Sequence, residues 1–379
     1  MMALASRSLA VLAALIVGPQ AWADVGTKGE ILWTYDAQGC LFSSPAIVGD
    51  TVFLAPCRGV LLALDKSTGK LLWSHDASEG GRNVQFHGDP LFTGDMVVIG
   101  SDTDDASATA HVLALDRPSG RLKWKHPVGR GVSSDIVLDG DRLWMTTREN
   151  ELICLDLATG QRLSEFRSTP APAFLFSASA TPVLTRDRIF FAASNGMVHA
   201  LDRASMKEIW KFDAGAPVVS TPLLRPDTVY VPAQNGRVLR LDRATGKRMG
   251  ELSTAGLLVG PPVFASDHLL VFSATGENEG ELLAIDPDLK EVRWRRRPEG
   301  TRWTSARPYL RGDAILVGSG TGRIAGFAPA DGSDLWSDTL PGTVRGIGWD
   351  QDVLYVGMMD GTLYAYRPPL TPAASPPAP

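Results

Sequence analysis

The groups with most to offer to chemistry are six histidines (His75, His87, His111, His126, His199 and His268), three cysteines and one acidic run, Asp102-Thr103-Asp104-Asp105. None is spaced as a known reaction centre. The histidines lack metal-ligand spacing, and His111 and His199 each stand shortly before an Ala-Leu-Asp segment, where a packed or edge histidine is expected. The acidic run could hold calcium, but it lacks the glycine and distal glutamate of a calcium loop and reads as a solvated hairpin tip. No G-x-S-x-G elbow, P-loop or HExxH helix occurs. Neither a catalytic residue nor a metal ligand is assigned.

Composition narrows the partners. The chain has 379 residues, 44% of them hydrophobic and 21% charged, with a formal net charge of −5 and scattered Lys and Arg. Nucleic acid is not an expected partner. Arg7, the apolar run Leu9 to Val17, Gly18-Pro19 and Ala21-Trp22-Ala23 follow the order of a secretory signal peptide. Residues 1–23 are therefore expected to be removed before Asp24, leaving an exported, monomeric protein, periplasmic in a Gram-negative cell. The apolar run is too short to span a bilayer, which needs about 20 residues. No cysteine near the cleavage point offers a lipid anchor. Export permits a disulfide. Cys40 and Cys57 flank a hairpin with its turn at Gly49-Asp50, close enough for either a bridge or two thiols, and Cys154 reads as a core residue.

The elements that must position these groups come from a repeat. An aspartate opens an apolar strand at Asp50, Asp95, Asp141, Asp187, Asp227, Asp267, Asp313 and Asp352, at spacings of 39 to 46 residues. Five residues before each stands a proline or isoleucine, from Pro45 to Ile347. Eight such units, each with four short strands and hairpin signals such as Asn195-Gly196, fit the blades of a β-propeller. The fold class is all-β: eight blades of four antiparallel strands.

The third turn of each unit carries a signature, clearest in Ala63-Leu64-Asp65-Lys66-Ser67-Thr68-Gly69-Lys70-Leu71-Leu72-Trp73. It resembles the tryptophan-docking motif A-x-D-x-x-T-G-x-x-x-W of the pyrroloquinoline-quinone (PQQ) propeller family. The aspartate can bond its own turn, glycine supplies a left-handed residue, and the outer-strand indole packs on the neighbouring blade. Structural docking residues are Trp33, Trp73, Trp124, Trp210, Trp294 and Trp336. Ser164 and Gly250 replace the tryptophan in units three and five, Met206 and Lys290 replace the glycine, and Ala328 replaces the aspartate. Looser blade contacts are expected around units three and five. Trp33 precedes the first full unit and the last unit stops near Tyr366, so residues 29–35 should complete the last blade and close the ring. The propeller is assigned to residues 24–367 and a disordered Pro-rich tail to 368–379.

Family resemblance also frames function. In the quinoprotein dehydrogenases that share the repeat, PQQ and calcium lie on the propeller axis beneath adjacent half-cystines, which this chain lacks. No cofactor is expected, and PQQ with calcium is the alternative. Arg82, Asn83, Gln85, His87, Arg130, Arg302, Trp303, Arg307 and Arg345 fall where the chain runs into innermost strands. They are candidates for a channel mouth that takes a small anion, although polar residues also gather at any wet mouth. The chain further resembles the B scaffold components of the outer-membrane β-barrel assembly machinery. That resemblance implies a non-catalytic envelope scaffold with a protein partner. Phe174, Leu175 and Phe176, in the connector between units three and four, are the partner-binding candidates, with Ser177 where the family has arginine.

Overall fold

Short apolar strands separated by tight turns pair most cheaply with their sequence neighbours, and here they do so eight times. The computed structural model describes residues 29–78, 84–105, 108–168, 180–258, 260–275, 280–297, 308–312 and 314–369. Its strands form eight antiparallel sheets in a ring, an eight-bladed β-propeller. Blade 1 runs Ala46–Val48, Thr51–Leu54, Val60–Asp65, Leu71–Asp76, from axis to rim. Blades 2 to 7 repeat that order across 91–127, 137–167, 183–213, 223–253, 257–296 and 309–339. In blade 6 the innermost position is split into Leu257–Leu258 and Val263–Ala265, both paired with His268–Ala274.

Blade 8 takes three strands from the end of the chain and its outer strand from the beginning. Glu30–Asp36 pairs antiparallel with Thr362–Arg367, and Arg367 Nη1 meets Glu30 Oε2 at 2.7 Å. The proposed signal segment and most of the proline-rich tail lie outside the described residues.

Burial follows blade position. The second and third strands are buried on both faces, as in Val60–Asp65, because a neighbouring blade covers each side. Outer strands alternate between exposed and half-buried, as in Leu71–Asp76. The apolar core divides accordingly into eight clusters, each spanning one seam between adjacent blades. Stability of the ring is thus the stability of its seams.

Candidate functional site: blade seams and the axial mouth

Five seams share one construction. The indole of Trp33, Trp73, Trp124, Trp210 or Trp294 reaches the third turn of the next blade. There its Nε1 donates to the carbonyl of Lys66, Arg117, Leu157, Arg243 or Pro329, at 3.0 to 3.2 Å. The ring lies on that turn's glycine. A Cβ added to Gly69, Gly120, Gly160, Gly246 or Gly332 would stand 2.4 to 2.7 Å from the indole. Glycine is therefore required twice, for its positive φ and for the missing methyl. Opposite each of these indoles, on the third strand, stands an alanine, small enough to leave the ring room. Motif aspartates fix four of these five turns, Ala328 standing at that position in the last: in the first, the Ser67 and Thr68 hydroxyls donate to Asp65 and hold its carboxyl down at about 2.

The two seams without tryptophan are built differently, which corrects the expectation of looser contacts there. At the seam between blades 3 and 4, Ser164 faces Cys154, and the indole moves inward to Trp144, which is paired with Cys154 on the second strand. Met206 of blade 4, in the glycine position, packs into the same cluster. At the seam between blades 5 and 6, Gly250 faces Arg240. Leu289 of blade 6 fills the space and is buried. Leu289, rather than the expected Lys290, takes the left-handed conformation, because the turn closes one residue early with Leu289 N–H donating to Asp286. The Tyr230 hydroxyl donates to the Pro287 carbonyl at 2.8 Å, which corresponds to the carbonyl used by the indoles elsewhere. Arg240 pairs with Asp288 across the seam at 2.8 Å.

Seam 3–4 also carries a hydroxyl–imidazole–carboxylate chain. His199 Nε2 lies 2.9 Å from Ser168 Oγ and its Nδ1 2.8 Å from Glu208 Oε2. Burial pushes the imidazole below its ordinary value, with Glu208 pulling it back up. Phe191 stacks on the ring and Phe166 meets it edge-on, so the chain is locked into the seam. Cys154, in the same cluster, is a buried thiol pushed up to about 11 by burial. Cys40 and Cys57 form a disulfide.

At the axis, the segments running into the innermost strands are tied blade to blade. Ser44 N–H donates to Asp89, Asp89 to Asp135, Asp135 to Thr181, and Thr181 to Thr221, at 2.8 to 3.2 Å. These residues immediately precede the proline or isoleucine that marks each unit. Their equal register is legible in the sequence, whereas the belt of hydrogen bonds it creates shows only in the fold.

Of the proposed mouth residues, Gln85, His87, Arg130 and Arg345 are described. Arg82, Asn83, Arg302, Trp303 and Arg307 lie outside the described residues, as do Phe174, Leu175, Phe176 and Ser177. Phe42, not singled out in the sequence, brings two of the four together: the His87 ring lies 5.1 Å from it, and the Arg345 guanidinium sits 4.8 Å over its face. Arg130 is exposed, with its backbone N–H bonded to Glu149. The acidic run is a solvated tip only in its second half, where Asp104 and Asp105 are exposed. Asp102 and Thr103 are buried, since Asp102 bridges Gln85 and Gly131 as part of the inner wall. Its carboxylate accepts from or faces His87 at 2.7 Å and Arg148 at 3.6 Å, while Arg148 also reaches Asp104. Among the described residues no group of His, Cys, Asp and Glu could hold a metal ion.

Comparison with known proteins adds three findings. A family model described as outer membrane protein assembly factor BamB matches residues 18–131, 108–169 and 154–367. The BamB of Yersinia pestis is 27% identical over 168 residues, 44% of this chain and 42% of that protein, so the match spans less than half of the relative. A quinohemoprotein alcohol dehydrogenase, ADH IIB of Pseudomonas putida, is 28% identical over 26% of this chain and 16% of its own. The crystal structure of BamB from Moraxella catarrhalis superposes with a TM-score of 0.71 at 17% identity, covering 89% of this chain and 99% of that one.

Proposed function

Because the chain belongs to the family of outer membrane protein assembly factor BamB, we propose that it works as a propeller scaffold in outer-membrane protein assembly, holding a protein partner in the periplasm. The observation that carries this reading is the family match, which runs through all eight blades from residue 18 to residue 367. Physically the ring suits the role. Its seams bury their apolar groups between blades and leave eight outer strands and two loop-lined ends for contact.

The test is genetic and biochemical. Deleting the gene should lower the amount of β-barrel protein in the outer membrane, and crosslinking the full chain in the envelope should trap a component of the assembly machinery. Unchanged barrel levels and no such crosslink would overturn the reading. Phe174, Leu175 and Phe176 remain the first partner-binding candidates. Replacing Phe174 and Phe176 with serine should weaken capture while leaving the melting temperature nearly unchanged. A large fall in melting temperature would instead make both rings core residues. The quinoprotein reading is supported by the short dehydrogenase match. Binding of PQQ with calcium, together with dye-linked alcohol oxidation, would establish it.

A further inference from the structure

Four arginines lie over aromatic rings: Arg225 on Phe264, Arg243 on Phe190, Arg311 on Trp349 and Arg345 on Phe42. Their surroundings differ. Arg243 donates to the carbonyls of Arg225 and Pro226. Burial lowers Arg311, but Asp352 and Asp350 pull it back up and its Nη2 donates to the Gln351 carbonyl. Arg345 is also lowered by burial, and no charge of a described residue opposes the effect. Its Nε donates only to the sulfur of Met359, a weak acceptor, at 3.1 Å. None of the described carboxylates pairs with it, and its two terminal nitrogens have no hydrogen-bond partner among the described residues.

Arg345 is half-buried, and a cation held partly out of water with no counter-charge among the described residues costs free energy, so a fold keeps such a group most readily where a ligand completes it. The free edge of a guanidinium matches a carboxylate in a two-bond fork. The guanidinium face rests on the Phe42 ring, with the half-buried His87 ring beside that, and the exposed thioether of Met359 lies at its Nε side. His87 is itself held by Asp102, and Arg148 balances that acid. Among the described residues the site therefore offers a positive charge with no carboxylate against it, beside aromatic and thioether surface.

We infer that Arg345, with Phe42 and Met359, binds a carboxylate carried on an apolar or aromatic body, at the end of the propeller where the chain enters blades 1, 2 and 8. The ligand is either a free aromatic acid or the C-terminal carboxylate of a peptide. The inference does not depend on the scaffold reading.

Titration of the purified full chain with benzoate, N-acetylphenylalanine and neutral benzamide tests it, followed by calorimetry and by the Arg345 side-chain NMR resonance. Benzoate or N-acetylphenylalanine should bind at about millimolar affinity, as expected of one charge-assisted contact, and should shift that resonance. Arg345→Met should weaken binding about tenfold or more, whereas Arg311→Met should not. Tighter binding of N-acetylphenylalanine assigns the site to a chain terminus, and tighter binding of benzoate to a free acid. Should Arg345→Met fail to fold, the resonance shift in the unmodified chain still decides. Absence of carboxylate binding, benzamide binding as well as benzoate, or an unmoved Arg345 resonance would each overturn the inference.

Discussion

The seams between blades 1 and 2 and between blades 3 and 4 solve one packing problem in opposite ways. In the first, a large ring on the outer strand, Trp73, meets an empty position on the next blade, Gly120. In the second the outer strand offers only Ser164, and the next blade supplies the bulk through Met206 while Trp144 fills from the inner side. The volume at a seam is kept and its owner changes. This fits close-packed interiors, which tolerate redistribution of volume better than its loss. Seam 5–6 makes the same exchange with Leu289 and adds Tyr230 and Arg240 as substitutes for the indole hydrogen bond.

The comparison breaks most sharply at the tryptophans. Trp73→Ala or Trp210→Ala should cost about 3–5 kcal/mol, combining lost burial, an open cavity and an unsatisfied carbonyl. Ser164→Ala should fall within about 0.5 kcal/mol, the range of substitutions that remove no packing. Equal effects in urea unfolding would mean that the indoles do not hold the seams.

The next effect separates the two owners of the volume. Gly120→Met forces a side chain into the Trp73 ring at a positive-φ position, and should cost about 3 kcal/mol or more from overpacking and backbone strain. Met206→Gly does the reverse. It relieves the left-handed strain of Met206, worth roughly 1–2 kcal/mol, while giving up a similar amount of half-buried packing, so it should be near neutral. A large loss from Met206→Gly together with a small one from Gly120→Met would reject the exchange.

These pairs show what sequence could and could not reveal. The ring, its eight units and the closing N-terminal strand were legible, because turn aspartates, prolines and tryptophans recur at blade spacing. The exchange was hidden because each unit was compared with a shared motif. Ser164 and Met206 then look like two separate defects in two units, although they are one contact between them. The shifted indole at Trp144 sits in a strand where Phe53, Phe190 and Tyr230 occupy the same row, so it passes as an ordinary core residue. At the mouth, arginines and His87 were visible as polar residues, but Phe42 gave no chemical signal. Asp102 looked exposed because its run of acids resembles a loop, whereas backbone bridges on both sides carry it into the wall.

A smaller test concerns the substitute hydrogen bond. Tyr230→Phe keeps the ring and removes the donor to Pro287, which should cost about 0.5–1.5 kcal/mol if the hydroxyl does what the indole nitrogens do elsewhere. Arg240, whose ion pair with Asp288 is half-exposed, should add little in a double-mutant cycle with Tyr230. A neutral Tyr230→Phe would mean that Leu289 packing alone sustains seam 5–6.

The smallest expected effect is a pH dependence that sharpens the contrast from the other side. His199 lies in a seam without an outer tryptophan, and burial holds it below its ordinary value of 6.5. The unfolded chain therefore takes up a proton that the folded chain resists. Stability is fully present above about 6.5 and falls as the pH drops toward the depressed folded value. His75 and His126 are also lowered by burial, each beside the third-turn glycine of a tryptophan seam, and they contribute with the same sign from more exposed positions. Urea midpoints measured between pH 7.5 and 5.5 should accordingly fall with acid, and the slope should flatten in His199→Gln more than in a His75→Gln control. A wild-type midpoint that rises with acid would show Glu208 outweighing burial at His199. The seam would then be held by an ion pair rather than by the stacked rings of Phe166 and Phe191.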